Sequence, residues 1–287
     1  MKYRMLWVDD SPEWVAPIRE SVQEYLEELG FDLVADLHTD GSGVTDHLAK
    51  ESVDLIAIDF KLKGSHGDKI IEAIRQSDKY TEILFYTADE NYRAVLPVQD
   101  GVYRAHRRDV ETKLRGLIAL TLKRVQTPAN MRGCVIAETA DIEALLEDIL
   151  VAQFADKGSL FRRRVLQKGI YDFGKKYQFV MGLIDDRLKA CNVVLSGKGG
   201  DKVAEGDLKA RLEPLQATLK EFEKEVIRTR NLLAHVKEQL DDQGRVTLKS
   251  TIIPGTITID HAWCVKVRKD LSKQHKALKA LTGIPIG

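Results

Sequence analysis

Short apolar runs alternate with amphipathic stretches over the first 125 residues of the chain. The apolar runs predict five strands, at Tyr3–Val8, Leu33–Leu37, Val53–Ile58, Ile83–Tyr86 and Val102–His106. The amphipathic stretches predict five helices, at Pro12–Leu29, Val44–Lys50, Lys69–Gln76, Asn91–Val98 and Val110–Val125. Strands that alternate with helices form a parallel, doubly wound sheet. We therefore predict an α/β domain built on a five-stranded parallel sheet.

The pattern changes at Thr127-Pro128, where proline ends the preceding helical periodicity. We place a boundary there, with domains at residues 1–126 and 127–287. Helices dominate the second domain and are predicted at Val135–Phe154, Ser159–Lys176, Phe179–Val194, Leu208–Leu240 and Ala262–Leu281. Residues 246–259 alternate around Pro254-Gly255 and predict a hairpin. The second domain is thus expected to be a helical bundle with a small β-hairpin.

The Leu208–Leu240 stretch is predicted to be one long helix or two, with Pro214 near a start or a kink. Its apolar stripe follows a 3-4 repeat and is expected to face the bundle core: Leu219, Phe222, Val226, Thr229, Leu233, Val236 and Leu240. A second, partly apolar face lies opposite: Ile227, Arg230, Asn231, Ala234, His235 and Glu238. Two buried faces on one helix predict packing within the bundle on one side and against another chain or domain on the other. We predict a homodimer through this second face.

Composition fits two domains, since 287 residues are enough to bury two cores. No apolar run approaches the ~18–20 residues that span a membrane, and no signal peptide is recognised at the start. The three cysteines, Cys134, Cys191 and Cys264, are widely spaced and form neither a metal-ligand pair nor a disulfide framework. We expect a cytoplasmic protein without a membrane partner.

The net charge of zero conceals an asymmetry. Residues 1–126 hold 17 lysines and arginines against 23 acidic residues, a balance of −6, and the remainder of the chain carries +6. An acidic first domain suits a divalent-cation site, and a basic second domain is compatible with a polyanion such as RNA.

Polar residues occupy three predicted strand ends in the first domain. The first strand ends in Asp9-Asp10, the third in Asp59 and the fourth in Thr87. The carboxyl ends of parallel strands share one edge of a sheet, so these side chains are expected to meet. Three carboxylates repel one another unless a cation joins them, and oxygen ligands of this kind suit Mg²⁺. The Thr87 hydroxyl is placed to bond an anion held near the metal.

At this point residues 1–125 resemble the receiver domain of two-component response regulators. The segment Asp59–Gly67, DFKLKGSHG, keeps the spacing of that family from its acceptor aspartate to a loop glycine. The resemblance implies a CheY-like, flavodoxin-like fold with Asp59 as the phosphoacceptor. It also implies that Asp9, Asp10 and Asp59 hold Mg²⁺, that Thr87 contacts the phosphoryl group, and that a histidine kinase or other phosphodonor acts upstream.

Two positions depart from the receiver pattern. The proline that follows the acceptor strand in the family is Lys63 here, and the lysine at the end of the fifth strand is missing. His106 or Arg107 lies nearest to that position, and arginine can bind phosphate as a cation. A pseudo-receiver that binds a partner without phosphate is the alternative.

In the second domain, the Arg230-Asn231-x-x-x-His235 motif resembles that of the HEPN superfamily, with support from the helical stretch Arg132–Glu147. The resemblance covers residues 129–282 and implies a metal-independent endoribonuclease that acts as a dimer. His235 would move a proton, Arg230 would hold the scissile phosphate, and Asn231 would orient His235. Basic residues offer further RNA contacts: Arg162, Arg163, Arg164, Lys266, Arg268, Lys269, Lys273, Lys276 and Lys279.

The two resemblances together predict a signal-gated ribonuclease, in which phosphorylation of Asp59 controls RNA cleavage in a stress response or in phage defence. The alternative is a non-catalytic two-component adaptor whose helical domain dimerises or binds a partner. No helix-turn-helix stands out in the sequence, so DNA is not an expected partner.

Overall fold

The computed structural model describes residues 1–168, 171–197, 200–234, 236–240, 242, 246–250 and 256–286. The chain divides into two compact units, Met1–Thr127 and Pro128–Gly287. Within the described residues, no helix is both long enough and apolar enough to cross a membrane.

The first unit alternates strands with helices. Its strands are β1 (Lys2–Val8), β2 (Asp32–His38), β3 (Leu55–Asp59), β4 (Lys61–Leu62), β5 (Ser65–His66), β6 (Ile83–Thr87) and β7 (Val102–His106). Its helices are α1 (Pro12–Glu28), α2 (Val44–Lys50), α3 (Gly67–Gln76), α4 (Tyr92–Val95) and α5 (Val110–Val125). Five strands form one parallel sheet in the order β2-β1-β3-β6-β7, and β4 pairs with β5. The predicted fold class, a doubly wound parallel sheet followed by a mostly helical region, is confirmed.

Burial explains why β3 and β6 lie at the centre of the sheet. Every residue of β3 and of β6 is buried, as central parallel strands require.

Helix α4 is shorter than the predicted Asn91–Val98. Pro97 disfavours helical backbone at the preceding residue, Leu96, which is extended.

The second unit is mainly helical. Its helices are α6 (Pro128–Ala152), α7 (Gly158–Arg164), α8 (Phe173–Ser196), α9 (Lys202–Leu219), α10 (Arg228–Ala234) and α11 (His261–Leu281). Its strands are β8 (Val236–Leu240), β9 (Val246–Ser250) and β10 (Thr256–Thr258), which form an antiparallel sheet in the order β10-β9-β8. Helices α6, α8, α9 and α11 pack on one another around buried side chains that include Ile142, Ile184 and Leu278.

The predicted helix Ser159–Lys176 is wrong as a single element. Helix α7 ends at Arg164, and α8 begins at Phe173. Asp172 caps α8 by accepting a hydrogen bond from the backbone N–H of Lys175 at 2.8 Å. An aspartate in this role favours a helix start, so it interrupts a pattern that otherwise looks periodic.

The predicted helix Leu208–Leu240 is also wrong at its C-terminal end. Pro214 lies inside α9 and not near its start. A π-helical turn, Glu223–Ile227, leads into α10, and residues 236–240 form strand β8. Leu240 is therefore exposed instead of lying on a helical core stripe, whereas Leu219 and Leu233 are buried as predicted. Pairing with β9 satisfies the β8 backbone, and this non-local partner decides the outcome against helical propensity.

Candidate functional site

Three carboxylates meet at the carboxyl edge of the sheet in the first unit. Strands β1 and β3 are parallel neighbours, and Val8 lies opposite Ile58. Asp9 and Asp10, which follow β1, therefore lie at the same edge of the sheet as Asp59, the last residue of β3. One carboxylate oxygen from each residue lies within 4.8 Å of the other two. Asp9 and Asp59 are almost fully buried, whereas Asp10 is half-buried. We call Asp9, Asp10 and Asp59 the carboxylate cluster.

Asp9 is held by donors on both of its oxygens. The backbone N–H of Ser11 donates to Oδ1 at 2.7 Å, and the hydroxyl of Tyr86 donates to Oδ2 at 2.7 Å. The indole Nε1 of Trp7 in turn donates to the Tyr86 oxygen at 2.7 Å. Burial and the adjacent Asp9 carboxylate raise the pKa of Tyr86 well above its usual value, so the phenol stays a donor. Sequence reasoning missed Tyr86 and Trp7, because both read as ordinary buried strand residues.

Asp10 is bonded to the loop that follows β3. The backbone N–H of Lys63 donates to its Oδ2 at 3.1 Å. Proline has no N–H, so the residue that departs from the receiver pattern supplies a bond that proline could not. The loop ends at Gly67, where an added Cβ would overlap the Asp59 carbonyl oxygen and lie 2.8 Å from the Phe85 ring. Only glycine fits there, which explains the glycine at this spacing.

The surroundings of Asp59 favour its protonated form. Burial and the neighbouring Asp9 raise the pKa of Asp59 to about 6. The backbone N–H of Lys61 donates to Oδ1 at 3.3 Å, and the Arg107 guanidinium lies 3.7 Å from Oδ2. These two contacts offset part of the cost of a buried negative charge.

Arg107 and His106 occupy different surroundings. Arg107 places Nη2 at 3.4 Å from both Asp9 oxygens, and its guanidinium carbon lies 4.1 Å from the centre of the Trp14 ring. His106 turns to the β6–α4 loop, with Nε2 at 3.2 Å from the Ala88 carbonyl oxygen. Of the two residues that could replace the family lysine, Arg107 is the one whose side chain reaches the carboxylate cluster.

Thr87 is fully buried at the end of β6. It lies one residue beyond Tyr86, which pairs with Asp59 in the sheet, and its own partner in the register is His106. Its Oγ1 accepts a hydrogen bond from the backbone N–H of Asp89 at 3.4 Å.

The donor set of the carboxylate cluster fits a divalent cation. It offers hard oxygen atoms from three residues, one of them half-exposed, which suits an ion such as Mg²⁺ that keeps several waters. Arg107 adds one fixed positive charge beside three negative ones, so the site retains an unbalanced negative charge that a cation can neutralise.

In the second unit, the structure brings two residues of the predicted motif together. Arg230 Nη1 donates to Asn231 Oδ1 at 3.1 Å; Arg230 is half-buried and Asn231 is exposed. His235 lies outside the described residues. The predicted second face is only partly buried, since Ile227 is half-buried and Ala234 is exposed.

Sequence reasoning did not foresee the role of Arg132. Its guanidinium donates from Nε to the Leu233 carbonyl at 2.7 Å and from Nη2 to the Val236 carbonyl at 2.9 Å. A planar guanidinium suits such a double contact, because its donors are fixed relative to one another. Arg132 on α6 thus binds the backbone on both sides of position 235.

Several of the basic residues predicted to contact RNA are engaged within the unit. Arg268 is fully buried, so its place on an RNA-binding surface is wrong. Arg162 pairs with Glu147 and Asp148, while Lys266 and Lys273 pair with Asp270 and Glu225, respectively. The three cysteines are free thiols.

Comparison with known proteins supports one of the two resemblances. Residues 5–101 match the family model of the response regulator receiver domain. This match supports a receiver domain in the first unit and, with it, a role in phosphoryl signalling. The matched region ends before the second unit, so the resemblance of that unit to the HEPN superfamily rests on its motif and on the helical stretch Arg132–Glu147.

Solved structures similar to this chain include three receiver proteins. The signal receiver domain of a Luxo repressor protein from Vibrio parahaemolyticus is 21% identical, with 43% of this chain and 92% of that chain covered and a TM-score of 0.36. The non-phosphorylated receiver domain of the stress response regulator RcsB from Escherichia coli is 19% identical, with coverage of 43% and 95% and a TM-score of 0.36. The response regulator TrrA from Thermotoga maritima, in complex with Mg²⁺ and BeF, is 26% identical, with coverage of 40% and 98% and a TM-score of 0.31. No curated protein matches the chain.

Proposed function

We propose that the first unit accepts a phosphoryl group on Asp59 and that this modification is the input signal of the protein. The observation that carries the proposal is the carboxylate cluster, whose three oxygens lie within 4.8 Å of one another. A carboxylate oxygen of Asp59 forms a bond to phosphorus while the bond between phosphorus and the leaving group of the donor breaks. The leaving group departs with the electron pair of that bond.

The surrounding residues have separate tasks in this proposal. Asp9, Asp10 and Asp59 would hold Mg²⁺, which neutralises charge on the phosphoryl oxygens when it is bound. Tyr86 and the Ser11 N–H fix the Asp9 carboxylate. Arg107 and the Thr87 hydroxyl contact the phosphoryl group, where a guanidinium suits phosphate oxygens. A histidine kinase or another phosphodonor supplies the group.

Treatment with acetyl phosphate tests the proposal directly. With excess donor and Mg²⁺, intact-mass measurement should show one added phosphoryl group on the full chain, and none on Asp59→Asn. Asp68→Asn is a matched control, because Asp68 lies in the adjoining first turn of α3 but not in the carboxylate cluster. A wild-type protein that gains no mass would establish a pseudo-receiver instead.

We further propose that the second unit is a metal-independent endoribonuclease that the first unit controls. Arg230 would hold the scissile phosphate, His235 would transfer the proton of the ribose 2′-hydroxyl, and Asn231 would orient His235. Two observations support the proposal: Arg230 is already bonded to Asn231, and Arg132 fixes the backbone on either side of position 235. Cytoplasmic RNA is the proposed substrate.

RNA cleavage distinguishes this output from a non-catalytic adaptor. The full chain, either phosphorylated beforehand with acetyl phosphate and Mg²⁺ or left untreated, should cleave total RNA in at least one of the two states after a chelator has removed the Mg²⁺. The products should end in 2′,3′-cyclic phosphate. His235→Ala should cleave ~10²–10⁴-fold more slowly, as expected on loss of a general acid or base. Arg228→Ala is the matched control, since Arg228 is exposed on α10, the helix that carries Arg230 and Asn231. Equal cleavage by His235→Ala, or none by the wild type in either state, favours the adaptor.

The proposed homodimer has its own test. Light scattering of the full chain at micromolar concentration should give twice the mass of 32.3 kDa. Ala234→Glu, on the predicted second face, should reduce the mass to that of a monomer. Ala210→Glu should not, because Ala210 is an exposed alanine on α9, away from the predicted second face. A monomeric wild type would contradict the dimer.

A further inference from the structure

A cavity of about 600 Å³ opens on the first unit between α4, β7 and α5. Its lining includes no member of the carboxylate cluster. The volume lies within the range of about 300–1,000 Å³ that is usual for small-molecule sites. The cavity is therefore separate from the proposed phosphorylation site.

The lining combines positive charge with aromatic rings. Arg93, Arg104 and Lys113 line the cavity, and the lining contains no aspartate or glutamate. In the part of the chain that the structure describes, none of these three cations forms an ion pair. Arg104 is fixed in place, because its Nη1 donates to the carbonyl oxygens of Arg93 at 2.8 Å and Leu96 at 3.2 Å.

Two tyrosines and several apolar side chains complete the surface. Tyr92 and Tyr103 both line the cavity, and Tyr103 is 37% exposed. Val98 also lines the cavity and is 82% exposed, so its side chain adds little hydrophobic stabilisation to the fold. The cavity thus offers flat and apolar surfaces beside its cations.

Gly116 is the most informative residue of the lining. It lies in the interior of α5, where glycine weakens a helix relative to alanine. A Cβ at this position would meet no atom within 4 Å, so packing in the described structure does not require glycine. Because Gly116 lines the cavity, its missing side chain leaves the cavity open.

We propose that this cavity binds a nucleoside phosphate. Guanidinium and ammonium groups bind phosphate oxygens, and tyrosine rings stack on a nucleobase. Arg93, Arg104 and Lys113 would receive the phosphates, while Tyr103 would contact the base. This site would make the first unit responsive to a soluble nucleotide independently of Asp59.

The binding test uses the full chain and fluorescent N-methylanthraniloyl derivatives of ATP and GTP, with competition by the unlabelled nucleotides. At least one derivative should bind with a Kd below about 100 μM. Inorganic triphosphate should compete at least tenfold less well than the nucleotide. Gly116→Leu should weaken binding by tenfold or more. The control is Gly182→Leu, since Gly182 is also a helix-interior glycine with no atom within 4 Å of its Cβ position.

A second variant guards against a folding defect. Lys113 is exposed, so Lys113→Gln should leave the melting temperature unchanged and weaken binding at least threefold. Absence of binding at 1 mM nucleotide would overturn the proposal, as would equal competition by triphosphate alone. Binding that neither Gly116→Leu nor Lys113→Gln alters would also overturn it. Asp59→Asn should bind the nucleotide like wild type, so this result stands apart from the phosphorylation test.

Discussion

The guanidinium carbon of Arg107 lies 4.1 Å from the centre of the Trp14 ring, while the same guanidinium faces Asp9 and Asp59. Stacking on an aromatic ring fixes the position of a cation as well as adding attraction. A positive charge therefore lies beside the carboxylate cluster, and Trp14 on α1 sets its position. A metal ion that enters the cluster must share the carboxylates with Arg107.

Removal of this charge should strengthen metal binding. We expect Arg107→Gln to bind Mg²⁺ on the order of tenfold more tightly than wild type, because repulsion between two cations is lost. Arg107→Lys should stay closer to wild type. Isothermal titration measures the affinity, and Arg108→Gln is the control, since Arg108 pairs with exposed Glu90 instead. Equal affinity of Arg107→Gln and wild type would show that Arg107 does not compete with the metal.

Asp59 should make stability depend on pH. Its pKa is raised from 3.8 to about 6 in the folded protein, so the folded state binds the proton more tightly than the unfolded chain. The free energy of unfolding should therefore fall as the pH rises from about 4 to 6 and stay lower above that window. Without Mg²⁺, Asp59→Asn should be more stable than wild type by roughly 1–3 kcal/mol at pH 7.5. This difference should shrink towards zero near pH 4 in urea titrations, and a difference independent of pH would contradict the assignment.

Tyr86→Phe should destabilise the first unit. The substitution removes the Tyr86 hydroxyl, which bonds the Trp7 indole N–H and one Asp9 oxygen at 2.7 Å each. Both of these buried groups would lose this partner. Such a loss typically costs ~1–3 kcal/mol. Urea unfolding measures the cost, and phosphorylation by acetyl phosphate should slow as Asp9 loses its fixed orientation. Tyr80→Phe provides the comparison, because Tyr80 is 73% exposed and should change stability little.

Arg132→Gln should loosen the backbone around position 235. Two carbonyl groups lose charged donors at 2.7 and 2.9 Å, for which we expect a loss of roughly 1–3 kcal/mol. Hydrogen exchange should become faster for the peptide that contains α10 and β8, and RNA cleavage should fall with it. Arg132→Lys should also speed hydrogen exchange, since lysine cannot make both bonds from one planar group. Unchanged exchange in Arg132→Gln would mean that the two bonds do not hold this segment.

The first unit was largely predictable because its determinants are local. Buried apolar runs define the strands, and parallel pairing then brings Asp9 and Asp59 to one edge. The bond from Tyr86 to Asp9 could not be predicted, because it depends on the register that places Tyr86 opposite Asp59. A tyrosine in a central strand otherwise looks like any other core residue.

The second unit was less predictable because non-local pairing decides part of its structure. The 3-4 repeat continues beyond Leu233, but residues 236–240 pair with β9 and leave the helix. The contact of Arg132 with the Val236 carbonyl spans more than one hundred positions of sequence and has no local signal. The helix start at Asp172 could have been predicted from the sequence, since aspartate favours the N-cap position of helices.

The π-helical turn at Glu223–Ile227 determines which way Arg230 and Asn231 face. The N–H of Arg228 donates to the Glu223 carbonyl, five residues back, so this turn contains one residue more than an α-helical turn. One residue corresponds to about 100° around a helix. Deletion of a single residue here would rotate Arg230 and Asn231 by that angle relative to α9, with little other change in composition. The orientation of the motif is thus a matter of residue count and can be altered without touching the motif itself.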